Sequence, residues 1–524
     1  MPTPPPLYYL ANFNVLIGHA QRVYDDLLNG QERQFIELFR ALSTPAQCLY
    51  VRVLTRRGEL VRADKLSYVE IPDVAQAAAE LAAVGLLHID SAAPANALLG
   101  LLTAPELLPI ALPRAGTRSM RKEQLIEVIA SAGDDVTRTL LRERIHWYQL
   151  GERAVVDTLS LLFFGNRRQD LSLFVITEMG HLRFERYALD GMRQFIDRED
   201  FAAYRRWLDL GDEIHNAIAE RDIVDALTAA NECVSTTPHR LAPSRRDRLL
   251  TRLVRFFEQQ QCDELALTLA SATQNSDEAR HRARIIRKRR GDGEFSTSRA
   301  RPQGIVIRDV ALPAWQPGAA ESLVLSTLVD AGYRGVHWEN HFPCAVFGLL
   351  CWDILFMSVP GAFFNPFQLG PLDLFTPDFL PRRATELAER VNSIRREQED
   401  WRLRLMTAFA GKQGIANHFV AWRHLEPVQL SNMSAALSAT LAAAICERIA
   451  ADPRRYRRGF PDLTLLSPEG ELQFCEVKSP NDQLSTEQRD WLGFLRAQGS
   501  EAWVARIVVP AQASVSATMS SVQS

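Results

Sequence analysis

Gly459-Phe-Pro-Asp-Leu-Thr-Leu-Leu466 and Glu471-Leu-Gln-Phe-Cys-Glu-Val-Lys478 decide the fold of the C-terminal part of this chain. Each reads as a strand. Asp462–Leu466 is short, leucine-rich and opens after a Gly-x-Pro turn, and Ser467-Pro-Glu-Gly470 is a turn signal before the second run. Side chains alternate along a strand, so Leu472, Phe474, Glu476 and Lys478 share one face. That face begins apolar and ends in a carboxylate and an ammonium, which burial disfavours unless the site needs both charges.

In an antiparallel pair the start of one strand adjoins the end of the next, so Asp462, Glu476 and Lys478 converge. Two carboxylates beside a lysine make an oxygen site for a hard cation, and Mg2+ or Mn2+ suits it better than zinc. Such an ion polarises a phosphate and lowers the pKa of bound water. Lys478 would orient that water or stabilise charge developing on phosphorus. The same spacing also describes a surface hairpin with an ordinary Glu/Lys pair, and spacing alone does not choose between the two. Composition leans toward the site: of 60 basic residues only Lys65, Lys122, Lys288, Lys412 and Lys478 are lysine. A compact, rotatable ammonium has been kept beside Glu476 in a chain that otherwise uses arginine.

Pro-Asp-(x)13-Glu-Val-Lys resembles the PD-(D/E)xK nuclease motif, and Arg-Arg-Gly-Phe-Pro-Asp-Leu followed by Glu-Val-Lys-Ser-Pro-Asn-Asp-Gln-Leu-Ser resembles its VRR-Nuc form. The whole chain is similar to a bacterial Fanconi-associated nuclease. Phe164-Gly-Asn-Arg-Arg-Gln-Asp-Leu171, Phe347-Gly-Leu-Leu-Cys-Trp-Asp-Ile354 and Asn365-Pro-Phe-Gln-Leu-Gly-Pro-Leu-Asp-Leu-Phe375 carry that closer likeness. The resemblance implies that Glu339 supplies a third metal-binding acid, that the Val477 carbonyl is an extra ligand, and that Gln488 is an accessory active-site glutamine. Gln488 is also the N3 residue of a Ser485-Thr-Glu-Gln488 capping box, which accounts for it without catalysis.

At 524 residues the chain should form several domains. A net charge of −3 means that any DNA contact must come from local basic patches. Seven cysteines without a CxxC pair read as reduced cytoplasmic thiols. The N-terminus lacks a signal-peptide pattern, and the most apolar run, Ala345 to Val359, is too short to span a membrane and reads as a buried helix.

The expected fold is multidomain and mostly α. Residues 1–95 form an N-terminal α+β, winged-helix-like domain with a helix over Gln31–Leu42, strands over Leu49–Leu54 and Ser67–Ile71, and a helix over Val74–Leu87. Arg52, Arg56, Arg57 and Arg62 there are either DNA contacts or solvated arginines. Residues 96–133 hold two short helices joined by a basic turn, which resembles a SAP module. In that likeness Arg114, Arg118, Arg121 and Lys122 pair with phosphates. A plain helical hairpin fits the same residues.

Residues 134–300 read as stacked helical hairpins, for which TPR-like is the family's label. They end in Arg280–Arg290, seven arginine or lysine residues and a histidine in eleven, read as a phosphate-facing surface, and then a linker. Residues 305–510 form the α/β PD-(D/E)xK (VRR-Nuc) core, and 511–524 a disordered tail. Within the core, His337-Trp-Glu-Asn-His341 fails as a zinc motif: on a helix Glu339 would lie nearly opposite both histidines. Glu339 is instead placed at the start of the helix containing Phe347–Met357. Asp353 reads as a buried structural acid, and Ser434–Ala450 as one helix.

These readings converge on a metal-dependent nuclease acting on branched or flapped double-stranded DNA in the cytoplasm. The resemblance implies 5′-flap cleavage and 5′-to-3′ exonuclease activity in interstrand cross-link repair. Arg454 and Arg457, at offsets where the family carries basic residues, would bind a terminal 5′-phosphate, although two other basic places appear as Gln483 and Glu487. A Holliday-junction resolvase or restriction-type nuclease sharing only the core, and an inactive DNA-binding helical scaffold, are the alternatives.

Overall fold

The computed structural model describes residues 7–508 except 57, 116–119, 181, 190–192, 238, 240–244, 275, 292–304, 313–317 and 481. The expected tail, Arg57, Arg118 and nearly all of the expected linker lie outside the described residues. The chain forms two compact units, residues 1–183 with 191–201, and residues 184–190 with 202–524.

In the first unit the helices Tyr8–Tyr24, Gly30–Ala41 and Thr44–Leu54 meet through Phe13, Phe35, Phe39 and Tyr50. Asn29 and Glu32 close a capping box on the second helix. Ser43 caps the third and Pro45 sits in its first turn, so Leu49–Leu54 is helix and not the expected strand. The Ser67–Ile71 strand is likewise absent; only an isolated bridge joins Tyr68 to Ile71. The sheet is instead built from β1 (Leu60–Arg62), β2 (Leu87–Ile89) and β3 (Trp147–Leu150), with β3 in the middle and both pairings antiparallel.

Helices Ala104–Ala115 and Lys122–Ala130 pack through Leu107, Ile110, Leu125 and Ile129. Two arginines read as candidate DNA contacts are committed inside the unit. Arg52 binds Glu70 at 2.6 Å between the rings of Tyr9 and Tyr68, and Arg62 is paired at 2.7 Å with both Asp64 and Glu106.

In the second unit helices Ile223–Ser235, Arg245–Gln259, Asp263–Ala272 and Asp277–Arg290 stack around Leu250, Leu253, Phe257 and Ile286. The last helix is only partly a free basic face. Arg282 pairs with Glu258 and Glu278, Arg289 with Asp263, and Arg290 with Glu264. The pairs to Glu258, Asp263 and Glu264 fasten helix to helix, while Arg282–Glu278 lies within one helix.

The C-terminal sheet has five strands in the order β4 (Val306–Ala311), β8 (Glu501–Val508), β7 (Leu472–Lys478), β6 (Leu463–Leu466) and β5 (Arg334–His337). β4–β8 and β8–β7 are parallel; β7–β6 and β6–β5 are antiparallel. One face packs on helix Ala320–Asp330 through Val324, Leu463, Cys475 and Trp503. The other packs on helices His341–Leu350, Ala439–Ala451 and Thr486–Ala497 through Phe474, Trp491 and Val504. Helices therefore cover both faces, as an α/β layer fold requires.

Three expectations in this region are corrected. The apolar run breaks at Cys351 into His341–Leu350 and Trp352–Leu355, with Glu339 ahead of the first helix. Asp353 is exposed and bound to Arg390 at 2.7 Å. Ser434–Ala450 is two helices, because Ser438 caps a new start at Ala439. Among the described residues no single helix is long and apolar enough to cross a membrane; the bent pair Pro427–Ala436 and Ala439–Ala451 lies in the core. All seven cysteines are free thiols.

Candidate active site at the end of the central sheet

β6 and β7 pair from Leu466 opposite Leu472 to Leu463 opposite Cys475. One further step sets Asp462 opposite Glu476, the two carboxylates that alternation placed together. Asp462 Oδ2 accepts the Val477 N–H at 2.8 Å. The pairing stops at Leu463, so the Val477 carbonyl, on the same side of the strand as its N–H, lies beyond the β6 ladder.

Glu476 is only 1% exposed. Its Oε1 takes the Lys478 ammonium at 2.9 Å and the Gln488 amide, while Oε2 is buried with no hydrogen-bond partner. Burial, reinforced by Asp462, pushes the Glu476 carboxyl up to about 8; Lys478 offsets only part of this. Burial also pushes Asp462 up to about 6, against the Val477 N–H and Lys478 and with Glu321 and Glu339 adding negative field. Two crowded, poorly solvated carboxylates with an unpartnered oxygen are suited to a divalent cation, which would relieve both penalties.

The Thr486–Ala497 helix aims Gln488 at this point. Gln488 Oε1 accepts the Ser485 N–H at 2.8 Å in the capping box, while its Nε2 donates to Glu476. The two readings of Gln488 therefore hold together in one amide. Gly459 lets the chain pass: it sits at φ 82°, and a Cβ there would come within 2.5 Å of Glu487 Cβ.

Glu339 reaches the site from β5. The Trp338 and Glu339 N–H groups donate to the Asp462 carbonyl at 3.1 and 3.0 Å, and Glu339 turns at φ 45°. His337, Glu339 and Asp462 each bring a ligand atom within 4.8 Å of the others. The expected set is thus gathered in two parts, Glu339 with Asp462 and Glu476 with Lys478 and Gln488, and sequence reasoning missed His337. The signal is His337-x-Glu339, which a helical spacing sets aside; β5 ends at His337 and the next helix starts only at His341. A cavity of about 450 Å3 lined by Asp353, Arg390, Glu399 and Arg404 includes none of these residues.

Arg454 and Arg457 both stand over the Phe375 ring, at 5.6 and 5.3 Å. Burial, with help from Arg457 and Arg458, holds the half-buried Arg454 below its usual value, against Asp452. In the first unit, Arg121 is exposed and its N–H donates to Gln124 at 2.9 Å, whereas the Lys122 ammonium binds the Gly100 carbonyl at 3.0 Å. The Arg114 side chain and Arg118 lie outside the described residues.

The family model "VRR-NUC domain" matches residues 396–508, and "FAN1, HTH domain" matches residues 7–88. The Fanconi-associated nuclease 1 homolog of Pseudomonas aeruginosa is 31% identical over 94% of this chain and 94% of its own. That of Arabidopsis thaliana is 27% identical over 95% of this chain and 67% of its own. A crystal structure of paFAN1 bound to 2-nucleotide 5′-flap DNA with a gap superposes with a TM-score of 0.81 at 28% identity, covering 98% of this chain and 100% of that one. A mostly helical chain with an N-terminal HTH region and a C-terminal VRR-NUC domain thus belongs to the Fanconi-associated nuclease 1 family, and is a structure-specific DNA nuclease dependent on a divalent metal.

Proposed function

We propose that this nuclease cuts 5′-flapped DNA, nicks duplex DNA progressively from a 5′ end, and serves interstrand cross-link repair in the cytoplasm, at the nucleoid. The observation that carries the chemistry is Glu476 Oε2, buried and unpartnered opposite Asp462. Glu339, Asp462, Glu476 and the Val477 carbonyl would hold Mg2+ or Mn2+, oxygen donors suited to a hard ion. When bound, such an ion supplies Lewis-acid stabilisation of the phosphate and acidifies water.

The residues divide the remaining work. Lys478, anchored 2.9 Å from Glu476 Oε1, presents its other ammonium protons to the attacking water or the phosphorane oxygens. Gln488 fixes the Glu476 rotamer, leaving Oε2 for the ion. Arg454 and Arg457 offer forked donors to a terminal 5′-phosphate and are oriented by stacking on Phe375, with no positive charge added at Gln483 or Glu487. Residues 96–133 are read as SAP-like, gripping duplex backbone through Arg114, Arg118, Arg121 and Lys122, and the helices of residues 134–300 as TPR-like. The paFAN1 complexes with 1- and 2-nucleotide 5′-flap DNA support the choice of substrate.

Cleavage of a 5′-flap duplex against a four-way junction, with Mg2+, Mn2+ or EDTA, tests this reading. Flap cutting with either ion and none in EDTA is expected. Preference for the junction would favour a resolvase, and binding without cutting an inactive scaffold.

A further inference from the structure

The oxygen donors above leave His337 without a role, yet its ring stands among them. β5 ends at His337, opposite Leu463 and so one residue from Asp462. Nε2 lies 3.3 Å from Glu339 Oε1, and one donor atom from each of His337, Glu339 and Asp462 falls within a 4.8 Å group. Ligands of one small ion are spaced on that scale, since bonds of roughly 2.0–2.2 Å set neighbouring donors about 3 Å apart.

The backbone is bent to make this grouping. A strand continuing through Trp338 would carry Glu339 onward, past His337. Instead Glu339 adopts φ 45°, a left-handed conformation that a non-glycine residue adopts only at an energetic cost. Two N–H groups clasped by the Asp462 carbonyl hold it there, and the His341 N–H returns to the Trp338 carbonyl at 2.8 Å. Strain of this kind, over-determined by its surroundings, is characteristic of functional positions. Here it folds the Glu339 carboxylate back toward the imidazole and ties both to Asp462.

An imidazole changes which ion the site prefers. Mg2+ favours oxygen donors and keeps its waters, whereas Mn2+ binds N/O sites and stands above it in nitrogen affinity. We propose that His337 Nε2 is a ligand of the same divalent ion as Glu339 and Asp462, and that it biases this nuclease toward Mn2+ over Mg2+. The proposal rests on the metal reading above.

Electron spin-echo spectroscopy of Mn2+ bound to the full chain, without DNA, reads the ligand directly. Wild type should show imidazole 14N coupling; His337→Ala should lose it, while His341→Ala keeps it. By equilibrium titration His337→Ala should weaken Mn2+ binding about tenfold and Mg2+ binding less than about twofold, as loss of one nitrogen donor implies. Ring exposure at the strand end makes the variant safe to fold; its circular dichroism checks this, and the wild-type spectrum decides the matter without it. Bound Mn2+ with no imidazole coupling, or coupling that survives His337→Ala, would overturn the assignment while leaving the carboxylate site intact. Failure of wild type to bind Mn2+ at all would overturn both.

Discussion

Gln488 donates its side-chain amide to Glu476 Oε1 while the same side chain accepts the Ser485 N–H that opens its helix. A helix start and a carboxylate rotamer are thereby set by one residue. The two tasks separate by mutation. Ser485→Ala should cost about 1 kcal/mol of stability, the usual value of a lost cap, and leave flap cleavage nearly intact. Gln488→Ala should cost a similar amount and also slow cleavage about tenfold, in line with other residues that orient metal ligands. Urea denaturation and single-turnover cleavage of both variants check this; equal cleavage losses would mean that the helix, not the amide, matters.

The raised carboxyls give a pH signature. Glu476 titrates near 8 and Asp462 near 6 in the folded protein, above their unfolded values, so the folded state binds more protons across this window. Metal-free stability contributed by these groups is therefore complete at low pH and is lost as pH rises through the folded values. In EDTA, Glu476→Gln should grow more stable relative to wild type between about pH 5 and about pH 8.5, by on the order of a few kcal/mol, and be inactive throughout. Thermal melts across pH measure it; a pH-independent difference would show that Glu476 is ordinarily ionised.

Strand choice is expected to depend on the Phe375 platform. Arg454→Ala with Arg457→Ala should abolish any preference for a 5′-phosphate over a 5′-hydroxyl flap, and Phe375→Ala should weaken it by releasing both guanidiniums. Paired competition substrates read the ratio. Equal losses on both flaps would assign the arginines to the duplex backbone.

Duplex grip is expected to be unequal within the basic hairpin. Replacing Arg114, Arg118, Arg121 and Lys122 together should weaken binding and flatten its salt dependence by up to about four phosphate contacts. Lys122→Ala alone should change it least, because that ammonium already serves the Gly100 carbonyl. Affinity titrations across salt decide; an unchanged slope for the fourfold variant would remove the hairpin from the DNA surface.

Alternation and turn chemistry made the catalytic hairpin legible: residues at opposite strand ends, Asp462 and Glu476, face one another because the register is local. The capping box at Ser485 was legible for the same reason. Leu49–Leu54 misled because its β-branched residues alternate, while the deciding signal, Ser43 with Pro45, lay upstream. Trp147–Leu150 pairs with strands at residues 60 and 87, a long-range contact that no local pattern reveals. His337 was hidden by a turn whose left-handed Glu339 defies propensity, as functional positions do.

The central claim is that the Asp462–Glu476 pair holds the ion that makes this chain cut. Single-turnover cleavage of a 5′-flap substrate by Asp462→Ala, with affinity for the same DNA measured in parallel, tests it most directly. Cleavage should fall by about a thousandfold or more, as loss of a principal electrostatic group implies, with binding unchanged within about twofold. Cutting by Asp462→Ala at the wild-type rate would contradict the assignment.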